Sequence, residues 1–194
     1  MWVKLGVSRP EQQRVRFSSL VRRTSAAEEL MLLVMRIDPQ QLRTLAPQLR
    51  DKDDLPPREA LLAFFALLGD DELERVVTNQ TKRGWQIVAL ASSGLVVVIV
   101  DWGSSRGASW SWRHDGRSED ATVTASLYRI TSVERIEIVE AWASTGFLGD
   151  GMEVQGTVDF ALHLQGLSQP LVLRDPEGRE GEAQALITAL RVRL

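Results

Sequence analysis

Up to about residue 81 the apolar positions recur at helical spacing, and beyond Gly84 they recur at a spacing of two. In "PEQQRVRFSSLVRR", residues 10–23, Val15, Leu20 and Val21 fall near one stripe with arginines over the rest, which predicts a basic amphipathic helix. Ser25 opens "SAAE", where serine and glutamate can each satisfy the other's free backbone N–H at a helix start. A helix from Ala26 to about Ile37 follows, with Leu30, Leu33, Val34 and Ile37 on one face. Asp38-Pro39, a capping acid and a proline at the first helical position, opens another through about Leu49. Pro57 to Leu68 is apolar almost all round, as in a buried central helix, and Gly69 closes it. Asp70 reads as the cap of a last helix, Asp71 to about Thr81, carrying Leu73, Val76 and Val77. Residues 1–81 are thus expected to form a small helical bundle, with 1–24 a basic arm or helix.

The period then changes. "WQIVALAS", "LVVVIVDW", "ASWSWRH", "ATVTASLYRI", "VERIEIVEAW", "VQGTVDFALHL" and "PLVLRD" are short runs rich in β-branched and aromatic residues, separated by Gly, Ser, Asp and Pro. Seven such strands with turn signals predict a barrel or sandwich. After them Asp175-Pro176-Glu177 repeats the capping signature, and Ala183, Leu186, Ile187, Leu190 and Leu194 make one apolar stripe. Gly178 and Gly181 weaken the first turns by about 1 kcal/mol each relative to alanine, so the regular helix should start late.

Seven strands closed by one amphipathic helix resembles the layout of pleckstrin-homology-like domains, including the bacterial PH-like and GRAM-type versions. "LYRITSVERIEI" resembles the strand leading through a small turn into the next, "PLVLRD" the last strand, and "EAQALITALRVRL" the helix that plugs the barrel end. The resemblance covers about residues 82–194. It implies an α+β protein in which the helical module precedes a seven-stranded PH-like antiparallel barrel capped by a C-terminal helix. It also implies a non-catalytic binding module for head groups, peptides or protein surfaces, often self-associating in bacteria. In phosphoinositide-binding members a basic pair lies around the first two strands and their connection. Here Ala91-Ser92-Ser93-Gly94 is read as that connection, with Lys82 and Arg83 before the first strand, which disfavours the usual head-group pocket.

Composition removes much chemistry. Apolar residues make up 44% and charged residues 25%, an ordinary globular balance. With no cysteine, disulfides, thiolate metal sites, iron–sulfur clusters and cysteine nucleophiles are excluded together. No apolar run approaches the roughly 20 residues of a membrane span, and charges at Lys4, Arg9, Arg14 and Arg16 interrupt any signal-type core, so a cytoplasmic location is expected. The two histidines are far apart in sequence, and His163 stands about 13 Å from Asp159 along one strand, so it reads as a surface histidine. "DKDD" begins like a calcium loop but has Pro56 and Leu62 where glycine and glutamate are needed. Phosphate-loop, zinc-protease and nucleophile-elbow motifs are absent. No enzyme, metal or cofactor is expected.

Two contact surfaces remain. Met1–Thr24 carries Lys4, Arg9, Arg14, Arg16, Arg22 and Arg23 against Glu11, so it is +5, and with the whole chain at −3 the remainder is −8. This segment suits either an anionic membrane or the acidic remainder of the same chain. The second is "DWGSSRGASWSWRHDG", residues 101–116, with Trp102, Arg106, Trp110, Trp112, Arg113 and His114, followed by Arg117. Trp110 and Trp112 share a face on a strand, either as core or as an aromatic patch with an arginine rim. The net acidity of residues 25–194 disfavours nucleic acid. The expected function is scaffolding through a protein partner or a homo-oligomer. Peripheral binding to an anionic membrane through the N-terminus and the 101–116 loop is the alternative, and a small-ligand carrier using the barrel interior is a second alternative.

Overall fold

A computed structural model describes residues 37–103, 110–113, 121–148, 151–176 and 178–194, together with the backbone of Val15–Arg16. Of the expected helix over Ala26–Ile37 only Ile37 is described, and it is not helical; the rest of that helix and most of the basic N-terminal segment, with Arg9, Arg14, Arg22 and Arg23, lie outside these residues.

The elements are β1 (Val15–Arg16), α1 (Pro39–Leu49), α2 (Arg58–Leu68), β2 (Leu73–Thr81), β3 (Gly84–Ala91), β4 (Gly94–Asp101), β5 (Thr122–Tyr128), β6 (Val133–Leu148), β7 (Gly151–Leu164), β8 (Leu171–Leu173) and α3 (Glu182–Arg193). They build a five-stranded sheet, β1-β5-β4-β3-β2, and a three-stranded sheet, β6-β7-β8. Every strand pairing is antiparallel.

The local signals explain the helices. The Asp38 carboxylate accepts from the Gln40 N–H at 2.9 Å at the head of α1. At the end of α2, Gly69 at φ 55° donates its N–H to the Phe65 carbonyl. As expected, α3 starts late. The Asp175 carboxylate reaches forward, one oxygen accepting from the Gly181 N–H and the other from the Ala183 N–H, both at 2.8 Å. Its buried face is Ala183, Leu186, Ile187 and Leu190, whereas Leu194, assigned to the same stripe, is exposed.

Three sequence expectations are corrected. The helix read over Asp71–Thr81 is strand β2, paired with β3 from Leu73↔Ala91 to Thr81↔Gly84, so a boundary after residue 81 falls inside the turn of a hairpin. Val15 and Arg16, read as helical, pair in extended form with Ala125 and Thr124 of β5. "ASWSWRH" forms no named strand among the described residues: Trp110 makes a single bridge and Ser111–Arg113 bend. Strands β2 to β8 nevertheless number seven and lead into one helix.

The five-stranded sheet is covered on both faces. On one, Trp85, Ile87, Val96 and Val98 pack with Leu49, Leu61, Phe64 and Leu68 of the helix pair. On the other, Val88, Leu90, Leu95 and Val97 pack with Phe160, Leu162 and Leu173 of the second sheet and with Leu186 and Leu190 of α3. A strand buried on both sides needs no polar face, which accounts for the unbroken "LVVVIV". The strands form two sheets and not one closed barrel: no ladder joins β2 to β8 among the described residues. There a side chain replaces the ladder. The Asn79 amide donates to the Arg174 carbonyl at 2.8 Å and accepts from the Arg174 N–H at 3.2 Å, as a peptide group of a neighbouring strand would. Gln86 adds a bond from its amide nitrogen to the Val172 carbonyl at 2.9 Å.

Candidate binding surface

The tryptophan loop is largely a structural closure. Trp110 is 2% exposed and sits in the core between the sheet and the helix pair. Its carbonyl accepts from the buried Trp85 Nε1 at 2.8 Å. Trp112 is half-buried: its N–H donates to the Leu55 carbonyl at 3.0 Å, and the Arg58 guanidinium lies 5.0 Å from its ring centre, a cation–π contact. Trp102 packs on the same core and its N–H donates to the Arg83 carbonyl. Arg113 is exposed, and Arg106, His114 and Arg117 lie outside the described residues, as does every contact-surface arginine of the N-terminus except the backbone of Arg16. The two tryptophans expected on one strand face do not form an open platform.

The space between the sheets is filled by side chains from both sheets and α3 that are 5% exposed or less. A shallow groove of about 830 Å³ runs instead outside, between the β2–β3 turn and β8. Its polar groups are largely mutually engaged, with the buried Asp51 carboxylate accepting from the Gln80 N–H at 2.6 Å beside the Asn79 and Gln86 bonds. Nearby, the Arg179 guanidinium donates to the Gln48 and Arg50 carbonyls at the end of α1, at 2.5 and 2.7 Å. Burial lowers its pKa, against the opposing charges of Glu182 and Asp51.

Lys82 and Arg83 are the turn between the first two long strands, not a lead-in to them, and Arg83 stands 4.0 Å from Asp101 while staying mostly exposed.

The surface that sequence reasoning missed is on the β6–β7 hairpin. Strand β8 pairs only with Phe160–Leu162, so from Glu140↔Asp159 to Leu148↔Gly151 the hairpin has no third strand beside it among the described residues. Along β6, Ile138, Val139 and Trp142 are 66%, 55% and 62% exposed. A bulge between Ile138 and Glu140 decides which way they face. Ile136 lies opposite Leu162 and packs on the core, while Ile138, opposite Phe160 on the same side of the strand, stays open to solvent. One extra residue, Val139, then turns Glu140 and Trp142 to the outer side, opposite Asp159 and Thr157. Without it Trp142 would continue the Ile136–Ile138 row. On the same outer face His163 Nε2 meets the Glu137 carboxylate at 2.8 Å, so this histidine, read as a plain surface residue, is partnered across the strands. Arg135 also bonds Glu137, at 3.1 Å, and Arg174 Nε bonds Asp159 at 2.7 Å.

Among the described residues no cluster of three or more His, Cys, Asp or Glu is placed to hold a metal ion, and no helix is long and apolar enough to cross a membrane. No family model matches the chain, and no curated protein matches it. Among solved structures it is similar to the crystal structure of a pleckstrin homology domain from Shewanella amazonensis, at 12% identity, with 80% of this chain and 92% of that chain covered and a TM-score of 0.29. That structure is of the family whose layout the sequence resembles, and a score this low carries no argument about what the chain binds.

Proposed function

We propose that this chain is a non-catalytic binding module that contacts a protein partner or a second copy of itself through the β6–β7 hairpin. The observation that carries the reading is the exposure of Trp142, on the stretch of hairpin that has no third strand among the described residues, with Ile138 and Val139 exposed just before it. Two strands alone are marginal in water, and aromatic side chains left open to solvent are the type that dominates binding energy at interfaces. The PH-like layout of seven strands and a closing helix fits a binding role in general. A photo-crosslinking residue at position 142, irradiated in the living host, tests it. Crosslinks to a protein or a second copy that vanish when Ile138→Glu is added are expected. Crosslinks from position 9 with none from position 142 would overturn the reading.

A second reading draws on the position of Lys82 and Arg83 at a hairpin tip, with Lys52 lining the same outer groove. Attachment to an anionic membrane would then run through this tip and not through the 101–116 loop, whose Trp110 is in the core. Cosedimentation with phosphatidylserine vesicles should fall when Lys82→Glu and Arg83→Glu are combined. Unchanged cosedimentation removes the tip from consideration.

A further inference from the structure

We infer that the occupant of the hairpin surface is a partner protein presenting an arginine side chain to a notch beside Trp142; this deepens, and rests on, the contact surface proposed above. Glu140 and Trp142 from β6, Thr157 and Asp159 from β7, and Arg174 after β8 line an open notch of about 280 Å³. The charges there are not balanced. Asp159 is engaged by Arg174 at 2.7 Å, whereas Glu140 makes no ion pair with another described residue. Glu140 and Trp142 are two residues apart on one face, so their Cα atoms are about 7 Å apart. A guanidinium can span that distance, donating to the carboxylate while its plane lies over the indole. Arginine suits this better than lysine because its charge is planar, weakly hydrated and forked. The chain already makes the same pairing internally, with Arg58 over Trp112 at 5.0 Å.

The alternatives fit less well. The chain's own basic segment is tied at Val15–Arg16 to the edge of β5, in the five-stranded sheet, while Trp142 faces away from that sheet on the outside of the other. In a second copy the basic segment would be tied to β5 in the same way, leaving the −8 of the remaining residues to face an acidic body.

The test uses the full chain with tryptophan-selective ¹⁵N labelling, the Trp142 indole signal being identified by its loss in Trp142→Phe. The probe is the capped peptide Gly-Arg-Gly-Arg-Gly, and the control is the same peptide with citrulline, a neutral residue of the same shape. The arginine peptide should move the Trp142 signal with an affinity about three- to fivefold above the citrulline peptide, and Glu140→Gln should remove that difference. Equal shifts with both peptides, or an unaltered preference in Glu140→Gln, would sink the inference. A Trp142 shift caused by Arg9→Glu with Arg14→Glu and no peptide would assign the notch to the chain's own segment, and a shift on simple concentration would assign it to a second copy; either overturns the choice of partner. No response to any peptide, with crosslinks at 142 that still depend on Ile138, would refute the arginine and leave the contact surface standing.

Discussion

Trp110→Ala and Trp142→Ala remove the same atoms from opposite environments. Trp110 is 2% exposed among Phe64, Trp85 and Val98, so its truncation leaves a cavity in a packed layer, at a cost of about 3–5 kcal/mol. The bond from Trp85 Nε1 goes to the Trp110 backbone carbonyl, which alanine keeps, so the loss is one of packing. Trp142 is 62% exposed and its truncation should stay within about 0.5 kcal/mol. In a domain of this size each kcal/mol moves the melting temperature by about 2–4 °C. Calorimetry should therefore show a fall of roughly 6–20 °C for Trp110→Ala and less than about 2 °C for Trp142→Ala. Crosslinking from a photoreactive residue at position 157, opposite Trp142, should follow the reverse order, lost in the Trp142 variant and kept in whatever fraction of the Trp110 variant folds. A Trp110 variant that melts within about 2 °C of the parent chain would refute the assignment of this tryptophan to the core.

Three further changes probe the scaffold around the surface. Asn79→Ala strips both bonds to the Arg174 backbone and should cost about 2–3 kcal/mol in urea unfolding, with faster hydrogen exchange at the Arg174 amide; unchanged protection there would mean the sheets are not joined by this side chain. Gly156→Ala puts a Cβ 2.4 Å from the Trp142 carbonyl oxygen, so the hairpin must shift, and amide protection should drop between Glu140 and Asp159 while that of β3 and β4 holds. Arg179→Ala removes two charge-assisted bonds to the end of α1 and should cost about 1–3 kcal/mol. Burial pulls the Arg179 pKa down, yet an arginine stays charged in proteins, so the same loss is expected at about pH 6 and pH 9. A loss confined to one pH would contradict the role given to its charge.

The parts of the fold legible in the sequence are those with one buried face or an explicit terminus signal. Asp38-Pro39, Gly69 and Asp175 sit where the helix ends are, and the stripe Ala183, Leu186, Ile187 and Leu190 is the buried face of α3. Strand β2 was hidden because adjacent residues enter different cores: Val76 packs toward the helix pair and Val77 toward the second sheet. With both faces covered, alternation disappears, and Leu73, Val76 and Val77 satisfy a helical spacing by coincidence. The alternating tryptophans of "SWSW" gave the opposite error, a period of two where the chain bends. Trp142 was missed for a third reason. Counting by twos from Ile136 assigns it to the core, and a bulge leaves no mark in residue type here, since Val139 is an ordinary strand residue.

That bulge makes the hairpin's outward chemistry a matter of reading frame. Glu140 to Ala143 face as they do because one residue has been inserted, so a single-codon deletion there would exchange the two sides of this stretch of β6 at one stroke. Such a change leaves β2 to β5, α1, α2 and the Asn79 seam untouched. A lineage could in this way replace what the arm presents, Glu140 and Trp142 giving way to Ala141 and Ala143, while inheriting the body unaltered.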